Sequence, residues 1–211
     1  MKAPYIVVDG LDGCGKGTQI LMLAERARDK GGRKLLFTKE PGGVPLATEI
    51  RRLFKSNLGM EASSLTQSLL MWASRRAYLE GSVWPALDAG TPVISDRGDS
   101  STLAYQVYAK QAPELEGEFW RMRKLIFGER VPTLYIIIDV PAEVARTRSL
   151  TDNTHSSSFD KKPLDWFERV RDGFSVFAKA IPDKVVIIDG NRSPEEVQKD
   201  FYQIVSETCG W

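Results

Sequence analysis

The strongest candidate for chemistry is a glycine-rich run near the start of the chain, GLDGCGKGT over residues 10–18. It follows an apolar run at residues 5–8 and precedes a segment with helical spacing, the order found in strand–loop–helix phosphate sites. Glycines let backbone N–H groups turn toward phosphate oxygens, and the helix N-terminus adds positive potential. Lys16 can reach the outer phosphates. We therefore predict a nucleotide-phosphate site formed by Gly10, Leu11, Asp12, Gly13, Cys14, Gly15, Lys16, Gly17 and Thr18.

The residue that follows the lysine is Gly17, where such loops usually carry a hydroxyl for Mg²⁺. Thr18 lies one step further around the predicted helix. Mg²⁺ keeps several waters and often needs only one or two carboxylates besides the phosphates. Asp96, at the end of an apolar run, is therefore the candidate metal residue, acting through water. Cys14 is interpreted as a small filler of the loop rather than a nucleophile.

Arginines form the second group with suitable chemistry, because a guanidinium binds phosphate through two parallel hydrogen bonds. Arg97 directly follows Asp96 at a predicted strand end, while Arg51 and Arg75 lie on predicted helices. A surface ion pair is an equal alternative for Arg51 or Arg75 taken alone. For Arg97, the position at a strand end favours an anion site.

Five short, β-branched apolar runs predict strands at residues 5–8, 34–38, 92–95, 134–138 and 185–188. Near-continuous apolar runs are typical of strands covered on both faces, as in a parallel sheet. Helical spacing occurs between them, over residues 19–30, 46–54, 65–87, 114–127, 142–150, 164–180 and 194–205. This alternation predicts an α/β fold, a doubly wound five-stranded parallel sheet flanked by helices, with ligands at the carboxyl ends of the strands.

Composition favours one compact domain over residues 1–211 and excludes several classes of protein. Lys plus Arg number 29 against 28 Asp plus Glu, and this near balance argues against a nonspecific nucleic-acid binder. Two cysteines and one histidine are too few for a disulfide framework or a zinc site. We find no secretory leader and no apolar run near the ~20 residues that span a bilayer. We therefore expect a cytoplasmic protein without membrane or nucleic-acid partners.

A polar segment without periodicity, TDNTHSSS over residues 151–158, separates two predicted helices. Its flanks are basic, with Arg146, Arg148, Lys161 and Lys162. An ordinary surface loop is the alternative. The basic flanks favour a lid over the active site, at about residues 149–163.

Four further motifs follow the glycine-rich loop along the chain. They are TKEPGG at residues 38–43, LLM at 69–71 with Arg75, Asp96-Arg97 with STLAYQ at 101–106, and FERVR at 167–171. In these motifs and their order, the chain resembles the thymidylate kinases, which are P-loop nucleoside monophosphate kinases, over almost its whole length. The resemblance implies transfer of the γ-phosphoryl group of ATP to dTMP, giving dTDP, by a homodimer that uses Mg²⁺.

The resemblance also implies roles for individual residues. The implied catalytic residues are Lys16, Arg97, Asp12, Arg146 and Arg148. The implied acceptor site consists of Glu40, Pro41, Arg51, Met71, Arg75, Arg97, Ser101, Thr102, Tyr105 and Gln106.

Within that acceptor site, the resemblance implies that Arg97 and Arg51 hold the dTMP phosphate near Glu40. Asp12 would lie near the sugar or the magnesium ion. Tyr105 would crowd the sugar, so that a 2′-hydroxyl fits poorly. The thymine edge would be addressed by Arg75, Thr102 and Gln106.

The chain departs from the family at two points. Family members usually place phenylalanine at position 71 to stack on the base, so Met71 or Trp72 must substitute. Members with glycine at position 13 usually carry lid arginines, whereas residues 157–160 read SSFD. Another acceptor, such as dUMP or a 5-modified pyrimidine nucleotide, is therefore the closest alternative. A nucleotide-driven switch of the GTP-binding kind would carry an Asn-Lys-x-Asp motif, which the sequence lacks.

Two further features leave alternatives open. The tryptophans at positions 72, 84 and 120 could bury a face shared by two subunits or pack in the core. Asn191 and Arg192 follow the last predicted strand and are candidates for adenine contacts.

Overall fold

A computed structural model describes residues 3–29, 34–151 and 162–211. Its strands are β1 (Tyr5–Asp9), β2 (Leu36–Lys39), β3 (Val93–Asp96), β4 (Leu134–Asp139) and β5 (Val185–Asp189). They form one sheet in the order β2-β3-β1-β4-β5, and every pairing is parallel. The predicted fold class and all five strands are confirmed. The centre of the predicted lid, residues 152–161, lies outside the described residues.

The helices flank the sheet and include every predicted helical stretch. They are α1 (Lys16–Asp29), α2 (Pro45–Lys55), α3 (Asn57–Glu61), α4 (Ser64–Tyr78), α5 (Trp84–Asp88), α6 (Asp99–Thr102), α7 (Glu116–Phe127), α8 (Ala142–Thr151), α9 (Leu164–Ala180) and α10 (Pro194–Cys209). The helix predicted over residues 65–87 is divided by a π-helical turn at Leu79–Val83. None of the described helices is long and apolar enough to cross a lipid bilayer.

Strand β1 lies at the centre of the sheet and is fully covered, as its apolar run predicts. Residues 5–8 are each at most 1% exposed. Val8 pairs with Asp96 of β3, and the N–H of Arg97 donates to the carbonyl oxygen of Val8 at 2.9 Å. The glycine-rich loop and Arg97 therefore leave neighbouring strands side by side, at the edge where parallel sheets bind ligands.

The sequence prediction missed a helical segment formed by α6 and the π-helical turn Leu103–Tyr108 that continues it. Leu103, Ala104 and Val107 are at most 1% exposed, so the segment has no polar face and lacks the amphipathic pattern that reveals a surface helix. Helix α9 packs against it so closely that a Cβ atom on Gly173 would lie 2.6 Å from the Cα of Ala104. The segment is thus held rigidly under the site.

The three tryptophans pack within the chain. Trp72 is 1% exposed and packs on Phe119, with ring centroids 5.4 Å apart. Trp120 stacks on Phe177 at 5.9 Å and an interplanar angle of 11°. Trp84 is half-buried and is contacted on its ring by the guanidinium groups of two arginines, Arg76 and Arg130. Of the two alternatives, core packing describes these side chains.

Candidate active site

Two adjoining cavities lie at the carboxyl ends of the strands. The loop cavity is bounded by residues 12–18 together with Asp96, Arg148, Gly190 and Arg192, among others. The inner cavity is lined by every predicted acceptor-site residue, namely Glu40, Pro41, Arg51, Met71, Arg75, Arg97, Ser101, Thr102, Tyr105 and Gln106. Five residues line both cavities, namely Asp12, Glu40, Arg51, Lys55 and Arg97. Molecules bound in the two cavities would therefore meet at these five side chains.

The glycine-rich loop adopts a conformation that only glycine tolerates at key positions. Gly10 has φ 139°, and a Cβ atom there would lie 2.4 Å from the carbonyl oxygen of Ile138. Lys16 is 7% exposed, and its Nζ donates to the carbonyl oxygens of Gly10 (3.3 Å) and Leu11 (3.0 Å). Residues 12–18 therefore line the loop cavity, whereas Gly10 and Leu11 do not line it and hold the lysine in place.

Cys14 fills the loop, in agreement with its interpretation as a small packing residue. Its side chain is 2% exposed, and its Sγ lies 3.8 Å from Nζ of Lys16. Burial raises the pKa of the Cys14 thiol, more than the neighbouring lysine lowers it. A protonated thiol is a poor nucleophile.

Contacts within the chain fix the position of the Arg97 side chain. Its backbone has φ 75°, a left-handed conformation that a residue with a side chain rarely adopts. Its Nη1 donates to Oγ of Ser101 at 2.8 Å, and its Nη2 pairs with a carboxylate oxygen of Asp12. The Tyr105 hydroxyl donates to the other Asp12 oxygen at 3.1 Å. A backbone strained at this position and a side chain held at its tip are typical of a functional group that is positioned in advance.

The charges of Arg97 and Arg51 act on each other, and an anion between them would be attracted to both. Burial alone would lower the pKa of Arg97, but Tyr105, Asp12 and Asp9 raise it well above its ordinary value. For Asp12, burial acts to raise the pKa, and the charges of Arg97 and Lys16 outweigh it and lower the pKa. Burial lowers the pKa of Arg51, and the nearby charge of Arg97 lowers it further. A phosphate between the two guanidinium groups would relieve this repulsion.

Asp9 is a site residue that sequence reasoning missed. Its carboxylate is fully buried at the end of β1 and accepts six hydrogen bonds. The donors are the N–H groups of Gly10, Gly98 and Ser101, the hydroxyls of Ser100 and Ser101, and Nη1 of Arg97. One carboxylate therefore joins the glycine-rich loop to the segment that carries the inner-cavity residues.

Replacing Asp9 with asparagine is expected to destabilise the fold by about 2 kcal/mol, because the amide offers one acceptor oxygen and turns an NH₂ donor toward other donors. Urea unfolding followed by circular dichroism would measure the change. Asp183→Asn is a matched control, because Asp183 is exposed. Equal stability of the Asp9→Asn variant and the wild type would contradict this account of Asp9.

A second buried carboxylate, Asp99, holds the same segment from the other side. Asp99 accepts from Nε of Arg123 at 2.8 Å and from the Tyr135 hydroxyl at 2.7 Å. Asp99 is fully buried and Arg123 largely so. Because Arg123 lies on α7 and Tyr135 on β4, two elements converge on the start of α6. The positions of Ser101 and Thr102 are thus set by contacts far away in sequence.

Glu40 and Arg75 form a buried ion pair beneath the inner cavity. Nε of Arg75 lies 2.8 Å from Oε2 of Glu40, and both side chains are at most 4% exposed. Nη1 of Arg75 donates to Oγ1 of Thr102 at 3.1 Å, and Nη2 donates to the carbonyl oxygen of Gly98 at 2.9 Å. Burial raises the pKa of Glu40 to about 7, against the attraction of Arg75. The guanidinium plane of Arg75 is therefore fixed by three partners.

The structure separates the two arginines predicted next to the lid. Arg148 lines the loop cavity, and its Nη1 donates to the carbonyl oxygen of Gly190 at 3.3 Å. Arg146 lines neither cavity, and its Nε donates to the carbonyl oxygen of Lys162 at 3.3 Å. Of the two residues after β5, Arg192 borders the loop cavity and Asn191 does not. Residues 157–160 and Lys161 lie outside the described residues.

Asp96 lines the loop cavity, and one of its carboxylate oxygens, Oδ1, is buried and has no hydrogen-bond partner in the described part of the chain. An orphaned carboxylate oxygen beside a phosphate loop fits a hydrated Mg²⁺ ion, whose preferred ligands are oxygens. Among residues 3–29, 34–151 and 162–211, no group of three or more His, Cys, Asp or Glu side chains could hold a metal by itself. The residues present thus fit an ion held mainly by phosphates and water.

The proposed substitution of Trp72 for a base-stacking phenylalanine is not supported, because Trp72 lines neither cavity. Met71 does line the inner cavity. Phe54 of α2 lines it as well, and sequence reasoning missed this residue. No local signal identifies it, since an apolar residue near the end of an amphipathic helix ordinarily packs in the core.

Comparisons with known proteins agree with this geometry. The family model described as thymidylate kinase matches residues 8–201. A thymidylate kinase from Dinoroseobacter shibae is 41% identical over 195 residues, covering 92% of each chain. One from Caulobacter vibrioides is 35% identical over 206 residues, covering 98% of this chain and 97% of the relative.

A solved structure is also similar over nearly the whole chain. The crystal structure of thymidylate kinase from Ehrlichia chaffeensis superposes with a TM-score of 0.76 at 28% identity, covering 98% of this chain and 99% of that one. The glycine-rich loop, the Arg97 site and the inner cavity lie within the residues matched by the family model. The chain therefore belongs to the thymidylate kinase family.

Proposed function

We propose that this chain transfers the γ-phosphoryl group of ATP to the phosphate of dTMP, giving dTDP and ADP. The observation that carries the proposal is the pair of cavities joined at Arg97, one lined by the phosphate loop and one by the acceptor residues. Membership of the thymidylate kinase family supports this assignment of donor and acceptor.

The donor side acts through positioning and charge. Backbone N–H groups of residues 12–18 and the positive end of α1 bind the ATP phosphates, and Nζ of Lys16 neutralises charge on the outer ones. Arg148, at the rim of the loop cavity, adds a further cation. Because Arg146 lines neither cavity, its proposed catalytic role depends on a movement of the lid. Phosphoryl transfer requires little covalent chemistry from the protein, so these cations suffice.

The acceptor side holds the dTMP phosphate between Arg97 and Arg51. An oxygen of that phosphate attacks the γ-phosphorus, and the bond from the γ-phosphorus to the bridging oxygen of ADP breaks. Asp12 lies near the sugar and, through its contacts with Tyr105 and Arg97, holds Arg97 in line with the phosphate. The base edge is then bound by Arg75, Thr102 and Gln106, with Ser101, Pro41, Glu40 and Met71 completing the cavity.

Mg²⁺ would be held by Asp96 through water, together with the ATP phosphates. When bound, the ion neutralises charge on the transferring phosphoryl group. Gly17 gives no hydroxyl to the ion, and a side chain there would point into open space, with no atom within 4 Å of a Cβ. The buried, unpartnered oxygen of Asp96 supports this assignment.

The test is release of ADP from ATP and Mg²⁺ in the presence of a panel of nucleoside monophosphates. We expect the highest kcat/KM with dTMP. A higher kcat/KM with dUMP or a 5-modified pyrimidine nucleotide would identify that nucleotide, instead of dTMP, as the acceptor. The methionine at position 71 is the reason for testing them. Slow hydrolysis of ATP or GTP, with no transfer to any monophosphate, would overturn the kinase function.

We also propose that the chain works as a homodimer through the outer face of α4. Leu65 and Leu69 lie one helical turn apart on this helix, and each is 48% exposed. Leu125, which is 71% exposed, lies on α7, and α7 packs against α4. Exposed leucines on adjoining helices are typical of a surface that a second subunit covers.

Replacing Leu69 with glutamate is expected to raise the dissociation constant of the dimer about 100-fold, because burying an unpaired charge is unfavourable. Sedimentation velocity over a concentration series would measure it. Leu21→Glu is the control, since Leu21 is 67% exposed on α1. A wild-type monomer would overturn the dimer, and an unchanged dissociation constant in the Leu69 variant would exclude this face.

The proposed organisation is one kinase domain over residues 1–211, with a lid at about residues 149–163. One sheet and one continuous apolar core support it within the described ranges. The proposed location is the cytoplasm. Cys14 and Cys209 are not joined in a disulfide, as is usual in a reducing compartment.

A further inference from the structure

A pyrimidine base is flat and needs an apolar face to stack on, and aromatic rings supply the best one. The resemblance to the thymidylate kinase family implies that this aromatic ring is expected at position 71. Here position 71 is methionine. The larger apolar side chains that line the inner cavity are Pro41, Phe54, Met71 and Tyr105.

The ring of Tyr105 is already engaged at the phosphate end of the cavity. The guanidinium carbon of Arg97 lies 5.1 Å from its ring centroid, and its hydroxyl is bonded to Asp12. On its other sides it meets Trp166 and Phe174 edge to face, with centroids 5.5 and 6.2 Å away. Tyr105 therefore serves the sugar and phosphate region rather than the base.

Phe54 is positioned to face the base region. It follows Arg51 by three residues on α2, so both side chains lie on one face of the helix. On α4, Met71 precedes Arg75 by four residues and likewise shares its face. Because α2 and α4 pack against each other, Phe54 and Met71 approach the cavity from two neighbouring helices.

The backbone at Phe54 is clamped by α3. A Cβ atom on Gly59 would lie 2.5 Å from the carbonyl oxygen of Phe54 and 2.6 Å from its Cα, so only glycine allows this approach. Nε2 of Gln67, on α4, donates to the carbonyl oxygens of Gly59 (2.8 Å) and Met60 (3.1 Å). Phe54 itself is 6% exposed. The backbone that carries the ring is therefore fixed, which limits the entropy lost when a ligand stacks on the ring.

We propose that Phe54 supplies the aromatic face on which the acceptor base stacks, with Met71 as the adaptable wall beside it. The ring thus comes from α2 instead of α4. The proposal depends on the dTMP kinase function proposed above and assigns its base-stacking residue.

The test replaces Phe54 with leucine, which keeps an apolar side chain and removes the ring. We expect the KM for dTMP to rise about 5- to 30-fold, because loss of one base–aromatic stack gives about 5- to 150-fold and leucine keeps an apolar contact. The kcat and the KM for ATP should change little. The inhibition constant of 2-deoxyribose 5-phosphate, which has no base, should stay at the wild-type value. That second measurement separates stacking from a general distortion of the cavity.

Two matched variants complete the experiment. Leu53→Ala is the control and should leave the KM for dTMP at the wild-type value, because Leu53 is 43% exposed on α2 and lines neither cavity. Phe54→Leu combined with Met71→Phe should recover most of the loss. If the leucine variant has a lowered melting temperature, Phe54→Met replaces it in the same measurements. An unchanged KM for dTMP in a folded Phe54 variant, or an equal rise in the inhibition constant of 2-deoxyribose 5-phosphate, would overturn the proposal. Failure of the wild type to phosphorylate dTMP would instead overturn the proposed function.

Discussion

Replacing Lys16 with alanine is expected to lower kcat about 10²- to 10³-fold, the loss typical of removing one preorganised charge from a transition state. The ammonium group is held by the carbonyl oxygens of Gly10 and Leu11, and Lys16 lines the loop cavity proposed for the phosphates. No hydrophobic contact of the core is lost. The melting temperature should therefore stay close to that of the wild type.

ADP release at saturating ATP and dTMP would measure the effect on kcat, and a thermal melt would confirm the fold. Lys199→Ala is a suitable control, because Lys199 is exposed on α10. Near-normal turnover in a folded Lys16→Ala variant would contradict the assignment of the phosphate loop.

Replacing Arg97 with alanine is expected to lower kcat/KM for dTMP about 10³-fold, because a bidentate, charge-assisted contact to the acceptor phosphate is lost. Asp12 would also lose its main cationic partner. The KM for ATP should change only a few-fold, since the residues of the glycine-rich loop remain in place.

Two variants separate the side chain of Arg97 from its backbone. Arg97→Gly relieves the left-handed conformation at φ 75° and still lacks the guanidinium, so it should be as impaired as the alanine variant. Arg97→Lys keeps the charge without the planar fork and should recover only part of the loss. Unchanged dTMP kinetics in Arg97→Ala would remove this residue from the acceptor site.

Most of the fold could be predicted because its signals are local. The β-branched runs of the strands and the apolar spacing of the helices are properties of adjacent residues, and both were confirmed. The segment Asp99–Tyr108 could not be predicted in this way, because burial on all sides removes the periodic pattern. That segment carries several of the proposed acceptor residues. Their motif could be recognised in the sequence, although their helical structure could not be predicted.

The candidate site divides in a similar way. Motifs predicted Lys16 and Arg97, because phosphate binding favours those residue types, and the family resemblance implied the residues that line the inner cavity. They did not identify Asp9, whose role depends on hydrogen bonds to Ser100 and Ser101, 91 and 92 residues further along the chain. Nor did they distinguish Arg148 from Arg146, since two residues along a helix turn a side chain to another face.

The sequence by itself therefore determined the α/β class, the phosphate loop and the family, because each depends on residue types at short spacing. Only the tertiary structure decided which side chains meet across the site. It buried Trp72 beneath Arg75 and placed Phe54 at the inner cavity. It also connected the glycine-rich loop to the segment after β3 through Asp9. The physical reason is that such contacts depend on strand order and helix packing, which join residues that are distant in the chain.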